Sequence, residues 1–232
     1  WSRGLGDVYK RQAQRGAALT KQMLVFNRRA SPLLRPVAVN RLIVDLLQML
    51  RRLMPEHIKV HLDASSDGPI IDADAGMIEQ VITNLMVNAR DAMPDGGALR
   101  LSTATVAFPS HGATVQAPRR PGRFARIRVE DTGCGIPPET LSRVFEPFFT
   151  TKAEGKGTGM GLATVHGIVA RHGGWVEAES TVGQGTAFTV FVPASGKRVE
   201  EPRPSGGTYL LRRGTETVLV VEDDTQVRQS LE

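Results

Sequence analysis

The spacing of apolar side chains predicts several helices along the chain. The clearest pattern covers residues 74–92, where apolar positions recur every three or four residues and therefore share one face at about 100° per residue. This face contains Ile78, Val81, Ile82, Leu85 and Ala89. Weaker helical patterns cover 13–30, 41–54 (with Asn40 as N-cap and Pro55 at the end), 137–145 and 162 to about 172.

Alternating apolar and polar positions, or short apolar runs between Gly and Pro, predict strands between these helices. The strands are expected at 36–39, 58–63, 69–72, 98–108, 123–131, 174–180 and 185–193. Helices and strands are mixed, and the late strands follow one another directly. The order therefore favours an α+β layered sandwich over a doubly wound parallel sheet.

Composition places the chain among ordinary globular proteins. It has 232 residues, of which 41% are hydrophobic and 23% charged, and no apolar run is long enough for a membrane helix. The single cysteine, Cys134, excludes an internal disulfide framework and fits a reducing compartment, so a cytoplasmic location is expected. A membrane tether in a longer parent protein stays open. Residues 1–12 lack periodicity and are interpreted as a non-native or disordered tail.

The net charge of +5 is unevenly distributed. Residues 1–35 carry eight Lys or Arg against one Asp, which gives +7 and leaves −2 for the rest of the chain. A DNA-binding domain concentrates its positive charge on the folded face. Because the excess lies in a terminal segment, no nucleic-acid partner is expected.

Two asparagines lie one turn apart on the strongest helix, at the edge of its apolar face. Asn84 and Asn88 belong to the segment NLMVNARDA. Two amides can flank a core stripe by chance. An amide oxygen can also bind Mg²⁺, or contact phosphate, without bringing a negative charge to a polyanion.

A second motif, DTGCGI, follows the strand that ends at residue 131. Asp131 can accept a hydrogen bond from an exocyclic amine, and Gly133 and Gly135 let the backbone approach a planar ligand. A tight strand-to-helix turn can also read D-x-G-x-G. Cys134 has no adjacent base and is interpreted as a tolerated small residue.

A third motif, GKGTGMGL, opens the helix that starts near residue 162. Backbone N–H groups of a Gly-rich loop at a helix N-terminus bind phosphate. The spacing does not match a Walker A loop, and no strand precedes it as a dinucleotide fingerprint requires. The segment VFEPFFTTK before it ends at Lys152, and its aromatic residues are predicted to pack and to hinge the loop. They are Phe145, Phe148 and Phe149.

Taken together and in this order, the four segments resemble the N, G1, F and G2 boxes of the sensor histidine kinase catalytic domain. The resemblance implies a Bergerat-type two-layer α/β sandwich over 32–193, preceded over 13–31 by the end of a dimerisation hairpin. It implies that ATP and Mg²⁺ are the cofactors, with Asn88 holding Mg²⁺ and the triphosphate and Asn84 assisting.

The same resemblance assigns the remaining site residues. Asp131 would bind the adenine amine, with Gly133, Gly135 and Ile136 shaping the base pocket and Thr186 acting through water. Lys152 or Lys156 would neutralise developing charge. Gly157, Gly159 and Gly161 would belong to the mobile phosphate lid. The nucleotide would also contact Lys156, Thr158, Met160 and Leu162.

The last residues resemble the start of a response-regulator receiver. Residues 194–216 have the composition of a linker, and 217–232 contain an apolar strand pattern followed by acidic residues. Glu222 and Asp223 match the acidic pair that collects Mg²⁺ in receivers, which would make the parent a hybrid kinase. An acid-rich loop after a strand is the alternative.

None of the five histidines is followed by an acidic residue, as the family's phosphoacceptor usually is. The acceptor is therefore expected on a segment outside this chain. The resemblance implies a homodimer that uses its own dimerisation and phosphoacceptor domain and a response-regulator receiver.

Related ATPases carry a general-base glutamate where this chain has Asn84, which favours a kinase. A serine kinase and a non-enzymatic ATP-sensing scaffold remain alternatives.

Overall fold

The computed structural model describes residues 33–50, 54–109, 121–152 and 157–197. The chain divides into two units, 1–199 and 200–232, and all described residues belong to the first. The predicted dimerisation helix, the receiver start and most of the linker lie outside the described residues, as do Lys156, Glu222 and Asp223. No described helix is long and apolar enough to cross a membrane.

A five-stranded mixed sheet forms one layer of the domain. Its strand order is β2-β4-β5-β7-β6; β2 pairs with β4 in parallel, and the other pairs are antiparallel. A second, two-stranded sheet pairs β1 with β3. Each strand lies within one residue of its predicted position. The strands are β1 (Arg35–Ala38), β2 (Ile58–Asp63), β3 (Ile70–Ala73), β4 (Gly97–Phe108), β5 (Gly122–Asp131), β6 (Trp175–Thr181) and β7 (Gly185–Pro193).

The helices form the other layer against one face of this sheet. On β5, Ile127 and Val129 are buried in the core, whereas Arg128 and Glu130 form ion pairs on the opposite face. This alternation shows which face the helices cover. The predicted α+β sandwich is confirmed. The helices in the described residues are α1 (Val39–Leu50), α2 (Ala75–Ala92), α3 (Pro138–Leu141) and α4 (Gly161–Arg171).

Both ends of α2 are fixed by contacts outside the helix. At its start, the Asp74 side chain caps the helix by accepting from the Met77 N–H at 3.3 Å. The Asp74 N–H donates to Nε2 of the buried His172 at 3.2 Å, and Nδ1 of the same ring lies 2.8 Å from the Ile168 carbonyl. His172 therefore joins the end of α4 to the start of α2. At the other end, Cys134 N–H donates to the Ala92 carbonyl.

The chain after β7 is also part of the folded body. Ala194 forms a bridge with Ile71, and the Ser195 N–H donates to the Ile70 carbonyl at 2.7 Å. The first residues of the segment predicted as a linker therefore pack on β3 and join the two sheets.

Two helix predictions were wrong in detail. Asn40 does not cap α1 but lies inside it, and its amide instead contacts the Ser65 carbonyl and the Thr103 hydroxyl, each at 2.7 Å. The helix predicted over 137–145 ends at Leu141 and continues as hydrogen-bonded turns. The N–H groups of Thr140, Arg143 and Glu146 bond to carbonyls three residues back instead of four, so the backbone tightens into turns, and Pro147 has no N–H to continue a helix.

The buried Thr103 hydroxyl connects three parts of the fold. It accepts from the Ser65 N–H at 3.0 Å and donates to the Asn40 Oδ1 at 2.7 Å.

We expect Thr103→Val to lower the free energy of unfolding by about 1–3 kcal/mol, because both partners lose a buried hydrogen bond while side-chain volume is kept. Urea denaturation measures this. Thr103→Ser keeps the hydroxyl and should lose only about 0.8 kcal/mol for the missing methyl; equal losses in the two variants would contradict the role of the hydroxyl.

Candidate functional site

One cavity of about 490 Å³ lies between α2, the start of α4, the end of β5 and the segment before α4. Its volume is within the range typical of small-molecule sites. Most of the residues singled out in the sequence line it. They are Asn84, Asn88, Asp131, Gly135, Ile136, Phe149, Lys152, Gly157, Thr158, Gly159, Met160, Gly161, Leu162 and Thr186.

A row of amide side chains on α2 forms one wall. Gln80, Asn84 and Asn88 are spaced by four residues and therefore follow one another along the helix, about 6 Å apart. The Asn84 amide donates to the Gly161 carbonyl at 3.3 Å. Within the described residues the Asn88 side chain has no hydrogen-bond partner, so its oxygen and its N–H groups are available to a ligand.

The N-terminus of α4 points into the same region. Gly161 is its first residue, and Asn88 Nδ2 would lie 3.8 Å from a Cβ at that position. The first N–H groups of a helix have no partner inside it and carry a partial positive charge. Asn88 and the start of α4 therefore form a neutral, donor-rich region suited to phosphate.

A buried carboxylate at the end of β5 lines another part of the cavity. Asp131 is 5% exposed. Its Oδ1 accepts from the N–H groups of Gly133, at 2.8 Å, and Thr186, at 3.3 Å, whereas Oδ2 has no partner in the described residues. Burial raises the pKa of this carboxyl, and the two backbone donors oppose that effect. Oδ2 is available as a hydrogen-bond acceptor for a ligand.

Glycines are required where the loop after Asp131 contacts its neighbours. A Cβ at Gly133 would lie 2.5 Å from the Ala92 carbonyl oxygen. Gly135 has φ +71°, and a Cβ there would overlap the Thr181 carbonyl. Gly133 does not line the cavity; its contribution is the N–H that binds Asp131.

The hydroxyl of Ser180 holds this loop against the β6–β7 turn. It accepts from the Ile136 N–H at 2.7 Å and lies 2.8 Å from the Thr186 hydroxyl. Ser180 was not predicted, because nothing in the local pattern separates it from an ordinary strand residue.

Lys152 lines the cavity but is already paired. Its ammonium lies 2.6 Å from Oδ2 of Asp91, whose Oδ1 binds Arg90 at 2.7 Å. Partial burial would raise the pKa of Asp91, but the hydrogen bonds from Lys152 and Arg90 outweigh it and lower that pKa below its usual value. Asp91 was also missed, although it continues the spacing of Asn84 and Asn88 by three further residues.

The three phenylalanines before the Gly-rich segment behave differently. Phe145 packs against Phe188, and Phe149 lines the cavity beneath the guanidinium of Arg143. Phe148 does not pack as predicted: it is 57% exposed and has a φ of +67°. Its N–H donates to the Gly159 carbonyl at 3.0 Å, which holds the strained residue in place.

The histidines of the described part do not contribute to the cavity. His57, His61 and His166 are exposed, and His172 has the structural role given above. His111 lies outside the described residues.

A family profile matches more than half of the chain. The profile of histidine kinase-, DNA gyrase B- and HSP90-like ATPases covers residues 73–196, which include the cavity.

Two curated relatives are similar over most of this chain. The sensor kinase CckA of Brucella abortus (strain 2308) is 39% identical, over 94% of this chain and 24% of CckA. The sensor histidine kinase ZraS of Escherichia coli (strain K12) is 32% identical, over 82% of this chain and 38% of ZraS. The chain thus spans about a quarter to two fifths of the length of these relatives.

Solved structures share the fold. Full-length ShkA in complex with AMPPNP has a TM-score of 0.65 at 27% identity, over 83% of this chain and 39% of ShkA. Histidine kinase ThkA in complex with response regulator TrrA has a TM-score of 0.61 at 21% identity, over 82% of this chain and 50% of that one; at this identity the likeness concerns the fold alone. The chain belongs to the histidine kinase-, DNA gyrase B- and HSP90-like ATPases and carries the ATPase-type catalytic domain of sensor histidine kinases.

Proposed function

We propose that this chain binds Mg²⁺-ATP and transfers the γ-phosphate to a histidine of a two-component phosphorelay. The observation that carries the proposal is the polarity of the cavity. A buried carboxylate with a free oxygen lines one part of the cavity, and amide side chains and a helix N-terminus line another. This arrangement is complementary to ATP: the carboxylate can accept from the adenine amine, and the amides and the helix N-terminus can bind the triphosphate.

The base end recognises adenine through Asp131. The exocyclic amine of adenine donates to Oδ2, while Gly133 and Thr186 hold Oδ1. Guanine presents a carbonyl at the corresponding position and would repel the carboxylate. Thr186 is adjacent and supports the base through a water, and Gly135 and Ile136 form part of the surrounding wall.

Asn88 is the residue that would hold Mg²⁺ at the phosphate end. In the part of the chain that the structure describes, no group of three or more His, Cys, Asp or Glu could hold a metal ion by itself. The Asn88 amide oxygen has the hard-donor chemistry that Mg²⁺ accepts, and phosphate oxygens would supply other ligands. When bound, Mg²⁺ neutralises charge on the phosphates, and the N–H groups at the start of α4 bind the phosphate oxygens.

Phosphoryl transfer is favoured over hydrolysis because Asn84 occupies the position at which related ATPases carry a general-base glutamate. Among the described residues that line the cavity, the carboxylates are Asp91 and Asp131. Asp91 is paired with two cations, and Asp131 lies at the base end. An amide such as Asn84 cannot take a proton from water.

The partners follow from this reaction. None of the five histidines has the family's acidic neighbour, which supports an acceptor histidine on a separate dimerisation and phosphoacceptor domain. With that domain, the kinase module would be a cytoplasmic homodimer, as the family resemblance implies. ThkA, which shares the fold, was solved in complex with a response regulator. The likeness of residues 217–232 to the opening of a receiver, with Glu222 and Asp223 as the acidic pair that collects Mg²⁺, supports a hybrid kinase.

Removing the Asn88 amide should weaken Mg²⁺-ATP binding. We expect Asn88→Ala to raise the dissociation constant at least about tenfold, because it removes a contact to a charged group. Isothermal calorimetry measures this. The matched control is Gln184→Ala, which removes an exposed amide outside the cavity and should bind normally. Unchanged affinity in Asn88→Ala would refute the site assignment.

Changing Asp131 should reduce the preference for adenine. In Asp131→Asn we expect the ratio of ATP to GTP affinity to fall by about tenfold or more, because an amide can turn a donor toward a carbonyl. Competition with a fluorescent nucleotide gives the ratio. Asp95→Asn, an exposed residue that does not line the cavity, is the control. Equal ATP and GTP affinity in the unmodified chain would contradict the role of Asp131.

The chain alone should neither phosphorylate itself nor hydrolyse ATP rapidly. Adding the hairpin domain encoded by the same gene should produce acid-labile, base-stable phosphate on that domain, because the catalytic domain only has to position ATP against the histidine. Labelled ATP with and without the hairpin domain tests this. Label on the chain alone would show that one of its own histidines is the acceptor. Rapid hydrolysis that is lost in Asn84→Ala would indicate an ATPase, and no label on the hairpin despite bound ATP would indicate a scaffold.

A further inference from the structure

A cluster of three charged side chains lies on the cavity wall beside Asn88. Asp91 bridges two cations: Arg90 binds Oδ1 through Nη2 at 2.7 Å and Nε at 3.0 Å, and Lys152 binds Oδ2 at 2.6 Å. All three residues line the cavity. The cluster carries a net charge of +1. Arg90 and Asp91 lie within one turn of α2 from Asn88, the residue assigned to the phosphates in the proposed function.

The two cations come from different parts of the fold. Arg90 and Asp91 are in the last turn of α2, whereas Lys152 ends the segment that leads into the Gly-rich motif. Without the carboxylate, two like charges would lie close together on one wall and repel each other. A lysine also has a long, flexible stem and many rotamers. The ion pair with Asp91 thus places Lys152 at the cavity wall in the structure.

Exposed ion pairs usually contribute little, because solvent screens them and side-chain entropy is lost. This cluster differs in that both carboxylate oxygens are used and the side chains are only 27–34% exposed. The cluster would also increase the affinity for an anionic ligand, because a cation that is already held in position loses less side-chain entropy when the ligand binds.

We propose that Asp91 is a positioning residue that holds Lys152 at the cavity wall, so that its ammonium can contact the phosphates of bound Mg²⁺-ATP. This rests on the proposed function. The opposite role is that Asp91 keeps Lys152 away from the phosphates by competing for it. The two roles predict opposite signs of coupling between the residues.

A double-mutant cycle on Mg²⁺-ATP affinity measures that coupling. The variants are Asp91→Asn, Lys152→Met and the double variant. The affinity of Asp91→Asn alone does not distinguish the two roles, because removing a negative charge from the cavity wall favours the binding of a polyanion in either case. In the cycle this general charge effect is present in both arms and cancels. Asp91→Glu keeps the charge, and Asp72→Asn removes the partner of an ion pair between Asp72 and Lys197, outside the cavity.

We expect Lys152→Met to weaken Mg²⁺-ATP binding about tenfold in the unmodified chain, as for a charged hydrogen bond, but only about twofold in the Asp91→Asn background. Asp91→Glu should restore most of the Lys152 effect, and Asp72→Asn should leave it at about tenfold. Melting temperatures of the variants show that each is folded, and Lys152→Gln replaces Lys152→Met if the latter is not.

A Lys152 effect that stays the same or grows in the Asp91→Asn background would overturn the proposal. A larger Lys152 effect in that background would show that Asp91 competes with the phosphates for Lys152. An unchanged effect would show that the Asp91–Lys152 ion pair does not influence ATP binding. If the unmodified chain does not bind Mg²⁺-ATP, the proposed function itself fails, and that result is distinct from a measured coupling of zero or of the opposite sign.

Discussion

The structure depends on one helix carrying two kinds of surface at once. One stripe of α2 is buried in the core and contains Ile78, Val81, Ile82, Leu85, Met86 and Ala89. A second stripe forms the cavity wall and contains Gln80, Asn84, Val87, Asn88 and Asp91. At about 100° per residue the two stripes lie side by side, so a small rotation of the helix would bring an amide into the core. Hydrogen bonds to other parts of the fold fix both ends of the helix, from Asp74 to His172 and from Cys134 to Ala92.

The buried carboxylate of Asp131 imposes the second constraint. Removing a carboxylate from water is costly unless hydrogen bonds replace the lost ones, and both replacements here come from backbone. The backbone can approach only where side chains are missing. A Cβ at Gly185 would overlap the Asp131 carbonyl, and one at Gly133 would meet Ala92. The glycines around this loop thus allow the close packing that makes a buried acceptor tolerable.

Much of this could be predicted from sequence, because each strand and the long helix are set by local periodicity. The predictions failed where a residue distant in the sequence determines the conformation or the contacts of a side chain. The side chain of Asn40 is engaged by Ser65 and Thr103, which lie 25 and 63 residues away, rather than by its own helix. Phe148 is exposed because Gly159 holds its backbone in a left-handed conformation. Asp91 meets Lys152 across 61 residues, and a one-dimensional pattern does not encode that contact.

The position of β7 has a consequence for how the chain acquires its fold. This strand is the last of the sheet to be synthesised, yet it lies between β5 and β6, and Ala194 then joins the sheet to β3. Until residue 193 has left the ribosome, β5 has an unpaired edge and the core lacks Phe188, Val190 and Val192. Nearly all of the domain must therefore be made before it can close, and nascent chains that stop earlier expose a strand edge open to aggregation.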